Sequence, residues 1–167
     1  MKNHSLILFA GLPGTGKSTL AYRLAKEKGW CVLSKDQINR SLERERIDNG
    51  RAGYEVLLDL AELNLRNSVS VILDASFGFA RLRSRAEEIA KQYEARFFGI
   101  ECICSDEQSL KKRFEMRPEM VTGWQPADWL EYNRVKNYWE KWENAHLRLD
   151  ATGSVEENYK KLIEYIA

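Results

Sequence analysis

The sequence predicts an α/β fold, in which a mostly parallel sheet of five strands is flanked by helices. Short apolar segments alternate with longer segments of helical periodicity along the 167 residues, as expected when crossover helices join parallel strands. A glycine-rich turn follows the first apolar segment directly and leads into the first helical segment. The length suits one buried core, so we expect a single domain spanning residues 1–167.

The strand candidates are short segments rich in β-branched, aromatic or other apolar residues. They cover residues 6–10, 31–34, 69–73, 97–104 and 147–149. Two helices between them should pack on the sheet through apolar faces. These faces consist of Ala21, Leu24 and Ala25 in residues 18–28, and of Val56, Leu60 and Leu63 in residues 54–66.

Two further helices are expected in the second half of the chain. One should open at Ser105, whose spacing from Gln108 matches a capping box, and should bury Leu110 and Phe114. After a connection that contains Pro and Gly, a charged and Trp-rich helix should extend to about Trp142.

Charge and cysteine content exclude several classes of protein. The 26 basic and 25 acidic residues leave a net charge of +1, which argues against long nucleic-acid tracks and membrane surfaces but leaves a local basic groove open. Three cysteines without CxxC spacing argue against a disulfide framework and a thiolate zinc site. Without a secretory leader or a long apolar run, we expect a cytoplasmic protein with no membrane partner.

The glycine-rich turn carries the most specific motif in the chain. Residues 11–18 follow the pattern GxxxxGK[ST] between a strand and a helix, which is typical of a loop that binds nucleoside triphosphates. Its backbone N–H groups and the helix dipole attract phosphate oxygens, and Lys17 adds a full charge that should also act in catalysis. We therefore expect a three-layer P-loop NTPase fold that uses ATP and Mg²⁺. The expected phosphate contacts are Gly11, Pro13, Gly14, Thr15, Gly16, Lys17, Ser18 and Thr19.

Two carboxylates follow candidate strands at the edge where such folds bind ligands. Asp74 ends the third strand and should assist Ser18 in holding Mg²⁺, through water; the alternative is a cap on the following turn. Asp36 follows the second strand and is placed to accept the proton of an attacking hydroxyl. Its alternative role is to cap a helix that begins near Gln37, and both roles can coexist.

Paired arginines are candidates for contacts with the transferring phosphoryl group. Arg113 and Arg117 are four residues apart and lead into a small helical lid expected at about residues 113–126. The alternative is a solvated charged face. Arg81 and Arg85 form a similar pair that would either bind the acceptor or lie on a solvated helix face.

With these residues in place, nearly the whole chain resembles the small P-loop kinases that include polynucleotide 5′-hydroxyl kinases, zeta-toxin-like kinases and chloramphenicol phosphotransferase. The matching elements are the loop at residues 11–18, the strand end at residues 33–36, the segment at residues 71–76, Arg113 and Arg117. The resemblance implies that Asp36 acts on the acceptor hydroxyl and that both arginines contact donor phosphates. It also implies an adenine contact in the loop that contains Thr152.

One position differs from the family pattern. The family often carries an arginine three residues after the acid that matches Asp36, whereas this chain has Asn39 there and Arg40 one residue later. The family's acceptor contact through this helix is therefore not carried over to this chain, and the role of Arg40 stays open.

These features favour a kinase that transfers the γ-phosphoryl group of ATP to a hydroxyl on a small molecule or a nucleic-acid end, and that releases ADP. The alternatives are a nucleotide-dependent regulatory NTPase or switch, a kinase that acts on a nucleoside or nucleotide phosphate, and a module that binds nucleotide without catalysis. The guanine-specifying Asn-Lys-x-Asp pattern is absent, which argues against a GTPase. The acceptor and the oligomeric state cannot be deduced from these residues.

Overall fold

The computed structural model describes residues 4–47, 51–116 and 127–167. The five strands form one sheet in the order β2-β3-β1-β4-β5, and every neighbouring pair is parallel. This arrangement confirms the predicted α/β class. The strands are β1 (Ser5–Ala10), β2 (Cys31–Ser34), β3 (Val71–Asp74), β4 (Arg96–Ile103) and β5 (Leu147–Asp150).

Helices cover both faces of the sheet and complete three layers. They are α1 (Lys17–Lys28), α2 (Lys35–Arg44), α3 (Ala52–Arg66), α4 (Ala80–Gln92), α5 (Glu107–Glu115), α6 (Trp129–Asn137) and α7 (Val155–Ile166). In the part of the chain that the structure describes, no helix is both long enough and apolar enough to cross a bilayer. Most of the predicted lid, including Arg117, lies outside the described residues.

The central strand β1 divides the core into two clusters. All its residues are buried, and successive side chains point to opposite faces of the sheet. Leu6 and Leu8 pack with α3 and α4, whereas Ile7 and Phe9 pack with α1 and α7. A strand buried on both faces has no polar alternation, which is why β1 is a continuous apolar segment in the sequence.

The face of α1 was predicted correctly, but that of α3 was not. Ala21 and Leu24 are buried in α1, and Ala25 is partly buried against the same cluster. In α3, by contrast, Val56 and Leu63 are 37% and 44% exposed. The buried residues of α3 are Gly53, Leu57, Leu58, Ala61 and Leu65. Apolar residues occupy two stripes of this helix, and the sheet covers only one of them.

Two further boundaries differ from the prediction. The helix α5 is capped by Asp106 rather than Ser105, because the Asp106 carboxylate accepts hydrogen bonds from the N–H groups of Gln108 and Ser109. The strand β3 begins at Val71 rather than at Val69, whose side chain is exposed. Within α5, Leu110 is fully buried and Phe114 is partly buried.

The Trp-rich helix is also shorter than predicted, because α6 ends at Asn137 rather than near Trp142. Beyond it, the N–H of Glu140 donates to the carbonyl of Gly78 over 2.8 Å. The buried guanidinium of Arg83 donates to the carbonyls of Glu140 and Lys141. These bonds to the start of α4 replace the helical pairing that residues 138–142 would otherwise make.

The two stripes of α3 lead to a stability prediction. We expect Leu57→Ala to lower the free energy of unfolding by about 2–5 kcal/mol, because Leu57 is fully buried against the sheet. The matched control Leu63→Ala should change it by less than about 0.5 kcal/mol. Urea denaturation followed by circular dichroism measures both, and equal losses in the two variants would contradict the observed packing face.

Candidate active site

The phosphate loop passes so close to its neighbours that two positions require glycine. Gly11 has φ 148°, and a Cβ there would lie 2.1 Å from the carbonyl oxygen of Cys102 in β4. Gly14 has φ 82°, and its Cβ would lie 2.8 Å from the Phe114 ring of α5. Both φ values are ones that side chains with a Cβ rarely adopt. The loop is therefore held between β4 and α5.

Hydrogen bonds within the loop hold Lys17 over its own backbone. The carbonyl of Leu12 accepts from Lys17 Nζ at 2.9 Å and from Thr15 Oγ1 at 2.8 Å. The N–H of Gly11 donates to the carbonyl of Ser76, just beyond β3, at 3.1 Å. The loop is thus tied both to itself and to the segment that follows Asp74.

The predicted metal-side residues meet directly. Ser18 Oγ donates to Asp74 Oδ2 over 2.7 Å, and Asp74 is buried. Burial raises the pKa of Asp74, while the Lys17 charge and the Ser18 hydrogen bond oppose that rise. This hydrogen bond joins Asp74 to α1, whereas the alternative role was a cap on the turn that follows β3. A carboxylate and a hydroxyl are oxygen donors of the kind that Mg²⁺ binds, so these residues fit the metal.

Asp36 lies at the same edge of the sheet, in the first turn of α2. The register of β2 and β3 pairs Ser34 with Asp74, which brings the start of α2 beside the phosphate loop. The charge of Asp36 contributes to the raised pKa of Asp74, after the larger effect of burial. Ser34 is the N-cap residue of α2, so Asp36 is not the helix cap that the alternative required. Its side chain is exposed to solvent.

A cavity of about 530 Å³ extends from the loop toward β5 and α7. That volume lies in the usual range for small-molecule sites. Residues from Gly14 to Leu20 line one side, and Ala151, Ser154 and Asn158 line the other. Gly11 instead lines a second cavity of about 270 Å³. Pro13 is buried next to Gly14.

Arg113 spans the cavity. Its Nη2 donates to the carbonyl of Ala151 over 2.8 Å, which joins α5 to the loop after β5. In this structure the guanidinium therefore lies at the far side of the cavity, by the β5–α7 loop. Thr152 is next to Ala151, exposed, and its N–H donates to Asp150 Oδ1.

Two residues that the sequence analysis did not select organise this loop. Asp150 Oδ1 accepts from the N–H groups of Ser105 and Thr152. Burial is the largest single effect on the pKa of Asp150 and raises it, but the hydrogen bonds to Ser105 and Thr152 together outweigh burial and lower the pKa to about 2. Asn158 is buried, and its Nδ2 donates to the carbonyl of Asp150 over 2.7 Å. The one sign of this role in the sequence is a polar asparagine, Asn158, among the apolar positions of the amphipathic helix α7.

The arginines of α4 play different parts in the fold. Arg85 pairs with Glu55 and, at 3.9 Å, with Asp59, so it joins α4 to α3. Arg81 is exposed and lies over the Phe79 ring. Arg83, which was not selected, is only 3% exposed and donates to backbone carbonyls.

Comparison with known proteins agrees with this fold. A family model described as an AAA domain matches residues 6–122. Among curated relatives, uncharacterized proteins of Mycobacterium tuberculosis and Mycobacterium bovis are 32% identical over 58% of this chain and 22% of theirs. The chain thus spans about a fifth of the length of these relatives, at 22%.

Three solved structures have a similar fold along almost the whole chain. The M. tuberculosis APS kinase in complex with AMPPNP and APS is 20% identical, with a TM-score of 0.66 and coverage of 98% of this chain and 97% of that one. A sugar kinase of Janibacter sp. HTCC2649 is 17% identical, with a TM-score of 0.72 and coverage of 98% and 94%. A gluconokinase of Sinorhizobium meliloti is 18% identical, with a TM-score of 0.68 and coverage of 97% and 95%.

At these low identities, the likeness to the solved structures establishes only the fold of this chain. Its membership in a family rests on the match of the family model. The match is to the family as a whole and does not single out polynucleotide kinases, zeta-toxin-like kinases or chloramphenicol phosphotransferase. The chain belongs to the AAA domain family and has the kinase-like P-loop fold.

Proposed function

We propose that this protein is a kinase that transfers the γ-phosphoryl group of ATP to a hydroxyl of a small molecule or a nucleic-acid end. The observation that carries the proposal is the meeting of Lys17, Asp74 and Asp36 at one edge of the sheet, where the charges of Lys17 and Asp36 both act on Asp74. A site that only bound nucleotide would not need an acid on the acceptor side of the phosphates. The nucleotide-analogue and APS complex of the similar APS kinase supports the proposal by analogy.

ATP would bind with its phosphates in the loop and its base in the cavity beside Ala151. The N–H groups of the loop and the N-terminus of α1 attract the phosphate oxygens. Lys17 is already directed onto the loop, at the Leu12 carbonyl, and would turn its ammonium to the β- and γ-phosphates. Thr152 and Arg113 would contact the nucleotide from the opposite side, with Arg117 of the lid joining them on the phosphates.

Ser18 and Asp74 would hold Mg²⁺, Asp74 through water. When bound, Mg²⁺ neutralises charge that develops on the β- and γ-phosphate oxygens. Asp74 suits this role because it is buried and because the hydrogen bond from the Ser18 hydroxyl orients its carboxylate.

Asp36 would act on the acceptor. Its carboxylate accepts the proton of the acceptor hydroxyl, whose oxygen forms a bond to the γ-phosphorus. The bond from that phosphorus to the bridging oxygen of the β-phosphate breaks, and ADP takes the electron pair. The proposal also assigns the protein to the group of polynucleotide 5′-hydroxyl kinases, zeta-toxin-like kinases and chloramphenicol phosphotransferase. This assignment rests on Asp36 together with the phosphate loop, Arg113 and Arg117.

We expect Lys17→Met to weaken ATP binding by roughly 10- to 150-fold, which is about 1.5–3 kcal/mol for the loss of a charge-assisted hydrogen bond. Titration calorimetry with AMPPNP measures the affinity. Lys28→Met, at the other end of α1, is the control and should bind as the wild type does. Unchanged affinity in Lys17→Met would exclude the phosphate loop as the binding site.

We expect Asp36→Asn to slow transfer to an acceptor by roughly 10²–10⁴-fold, because the general base is lost. ATP affinity should not change, since the acid does not contact the donor. Labelled ATP and a panel of hydroxyl compounds measure transfer. Asp59→Asn, an exposed acid on α3, serves as the control. Full transfer by Asp36→Asn would remove this residue from the mechanism, and ATP hydrolysis without any transfer would favour a regulatory NTPase.

We expect Asp74→Asn to separate stability from metal binding. Because the folded state raises the pKa of Asp74, the carboxylate form costs stability at pH 7, and the neutral amide should be at least as stable without nucleotide. This difference should shrink as the pH falls below the raised pKa of folded Asp74 and should vanish below the ordinary pKa of an unfolded aspartate, where the carboxyl is neutral in both states. The gain in ADP affinity on adding Mg²⁺ should fall roughly 10- to 100-fold. Thermal melts and calorimetry test both effects, and a full Mg²⁺ gain would contradict the role.

A further inference from the structure

We propose that the acceptor carries an anionic group and that the ammonium of Lys35 binds it. This inference rests on the proposed kinase function and names its substrate class. Lys35 is the first residue of α2 and directly precedes Asp36, the acid that we place on the acceptor hydroxyl. The two residues would hold two different groups of one small molecule.

The ammonium of Lys35 is placed as a binding group rather than as half of an ion pair. It lies 4.8 Å from the centroid of the Tyr54 ring, in a half-buried position. Among the described residues, no carboxylate lies within 4.0 Å of it, whereas Arg85, Arg134 and Lys136 each have such a partner. Burial lowers the pKa of Lys35, which shows that its charge is poorly solvated. An incoming anion would supply the missing partner.

The charges that act most on Lys35 lie outside the phosphate loop. The charges that act on Asp74, beside the phosphate loop, belong to Lys17 and Asp36. Those that act on Lys35, after burial, belong to Asp36, Glu131, Arg134 and Glu43. Glu131 and Arg134 lie on α6 and pair with each other at 2.9 Å, so they largely cancel. The charges that remain belong to Asp36 and Glu43, which lie on α2 itself.

Aromatic rings lie close to Lys35. The hydroxyl of Tyr54 accepts from the N–H of Phe77 at 3.1 Å, which fixes the ring below Lys35. Tyr138, which is near enough to Tyr54 to affect its pKa, stacks on Phe79 with ring centroids 4.8 Å apart. A charge held against such rings interacts with an anion more strongly than it would in water.

The spacing of the two groups limits the ligand. Neighbouring residues of a helix point about 100° apart, so Lys35 and Asp36 would contact separate ends of the acceptor. The reacting hydroxyl would lie at Asp36, and a carboxylate or phosphate some bonds away would lie at Lys35. The substrate class is therefore a small hydroxylated acid or phosphate ester, and a neutral polyol of the same skeleton should be a poor acceptor.

The test uses labelled ATP and acceptors in pairs that differ in one anionic group. The pairs are D-gluconate and D-glucose for a carboxylate, and glycerol 3-phosphate and glycerol for a phosphate, with nucleoside 3′-monophosphates and nucleosides as a larger set. We expect kcat/KM to be at least about tenfold higher for the anionic member of a pair that is turned over, and the pair that shows it identifies the anion.

The variant Lys35→Met keeps the aliphatic stem and removes the charge. It should raise KM for the anionic acceptor at least about tenfold, leave KM for ATP unchanged and abolish the preference within the pair. Lys35→Arg should keep most of the preference. Lys91→Met, in the last turn of α4 at the opposite edge of the sheet, is the matched control and should behave as the wild type does.

The outcomes separate the two proposals. Equal kcat/KM for both members of every pair, or an unchanged preference in Lys35→Met, overturns the assignment of Lys35 and leaves the kinase proposal intact. Tight ATP binding with hydrolysis to water and no transfer to any acceptor overturns the kinase proposal and this inference with it. An anion preference that Lys35→Met abolishes and Lys35→Arg retains supports both.

Discussion

The approach of the phosphate loop to β4 is the constraint on which the site depends. Without a side chain at Gly11, the loop backbone lies against the Cys102 carbonyl, and any Cβ would force the two apart. The same approach sets where α1 begins, and hence where Lys17 and Ser18 point. Phe114 closes the other side of the loop at Gly14. The sheet and α5 hold the loop from two sides, and such preorganisation suits a site that stabilises phosphate charge.

The parallel register of β1, β2 and β3 also sets the positions of the two acids, Asp74 and Asp36. Phe9 and Ser34 both pair with Asp74, so the ends of β1, β2 and β3 lie side by side. α2 starts at the residue after β2, without a connecting loop, and this places Lys35 and Asp36 at that edge. Burying Asp74 costs free energy, which the Ser18 hydrogen bond and the Lys17 charge partly offset. In the proposed function, a cation bound beside Asp74 would reduce this cost.

Some of this could not be predicted from local sequence. Residues 54–66 contain two apolar stripes, and only the position of the sheet selects Leu57 and Leu65 over Val56 and Leu63. The helix α6 ends early because Gly78 and Arg83, about 60 residues away, supply partners for the backbone that follows it. Arg83 resembles its exposed neighbours in sequence, yet it is buried. In each case a contact between distant segments outweighed a local preference.

The sequence by itself determined the α/β class, the phosphate loop and the acids at the strand ends, because each depends on residues that are neighbours along the chain. A glycine pattern between a strand and a helix acts through its own backbone, so no distant residue is needed to recognise it. Tertiary structure alone decided that Arg113 reaches Ala151, that Asp150 and Asn158 shape the loop beside it, and that Lys35 faces Tyr54. Each of these contacts joins two different elements or loops, 38 residues apart for Arg113 and Ala151, and only packing brings their side chains within hydrogen-bonding or ring-contact distance.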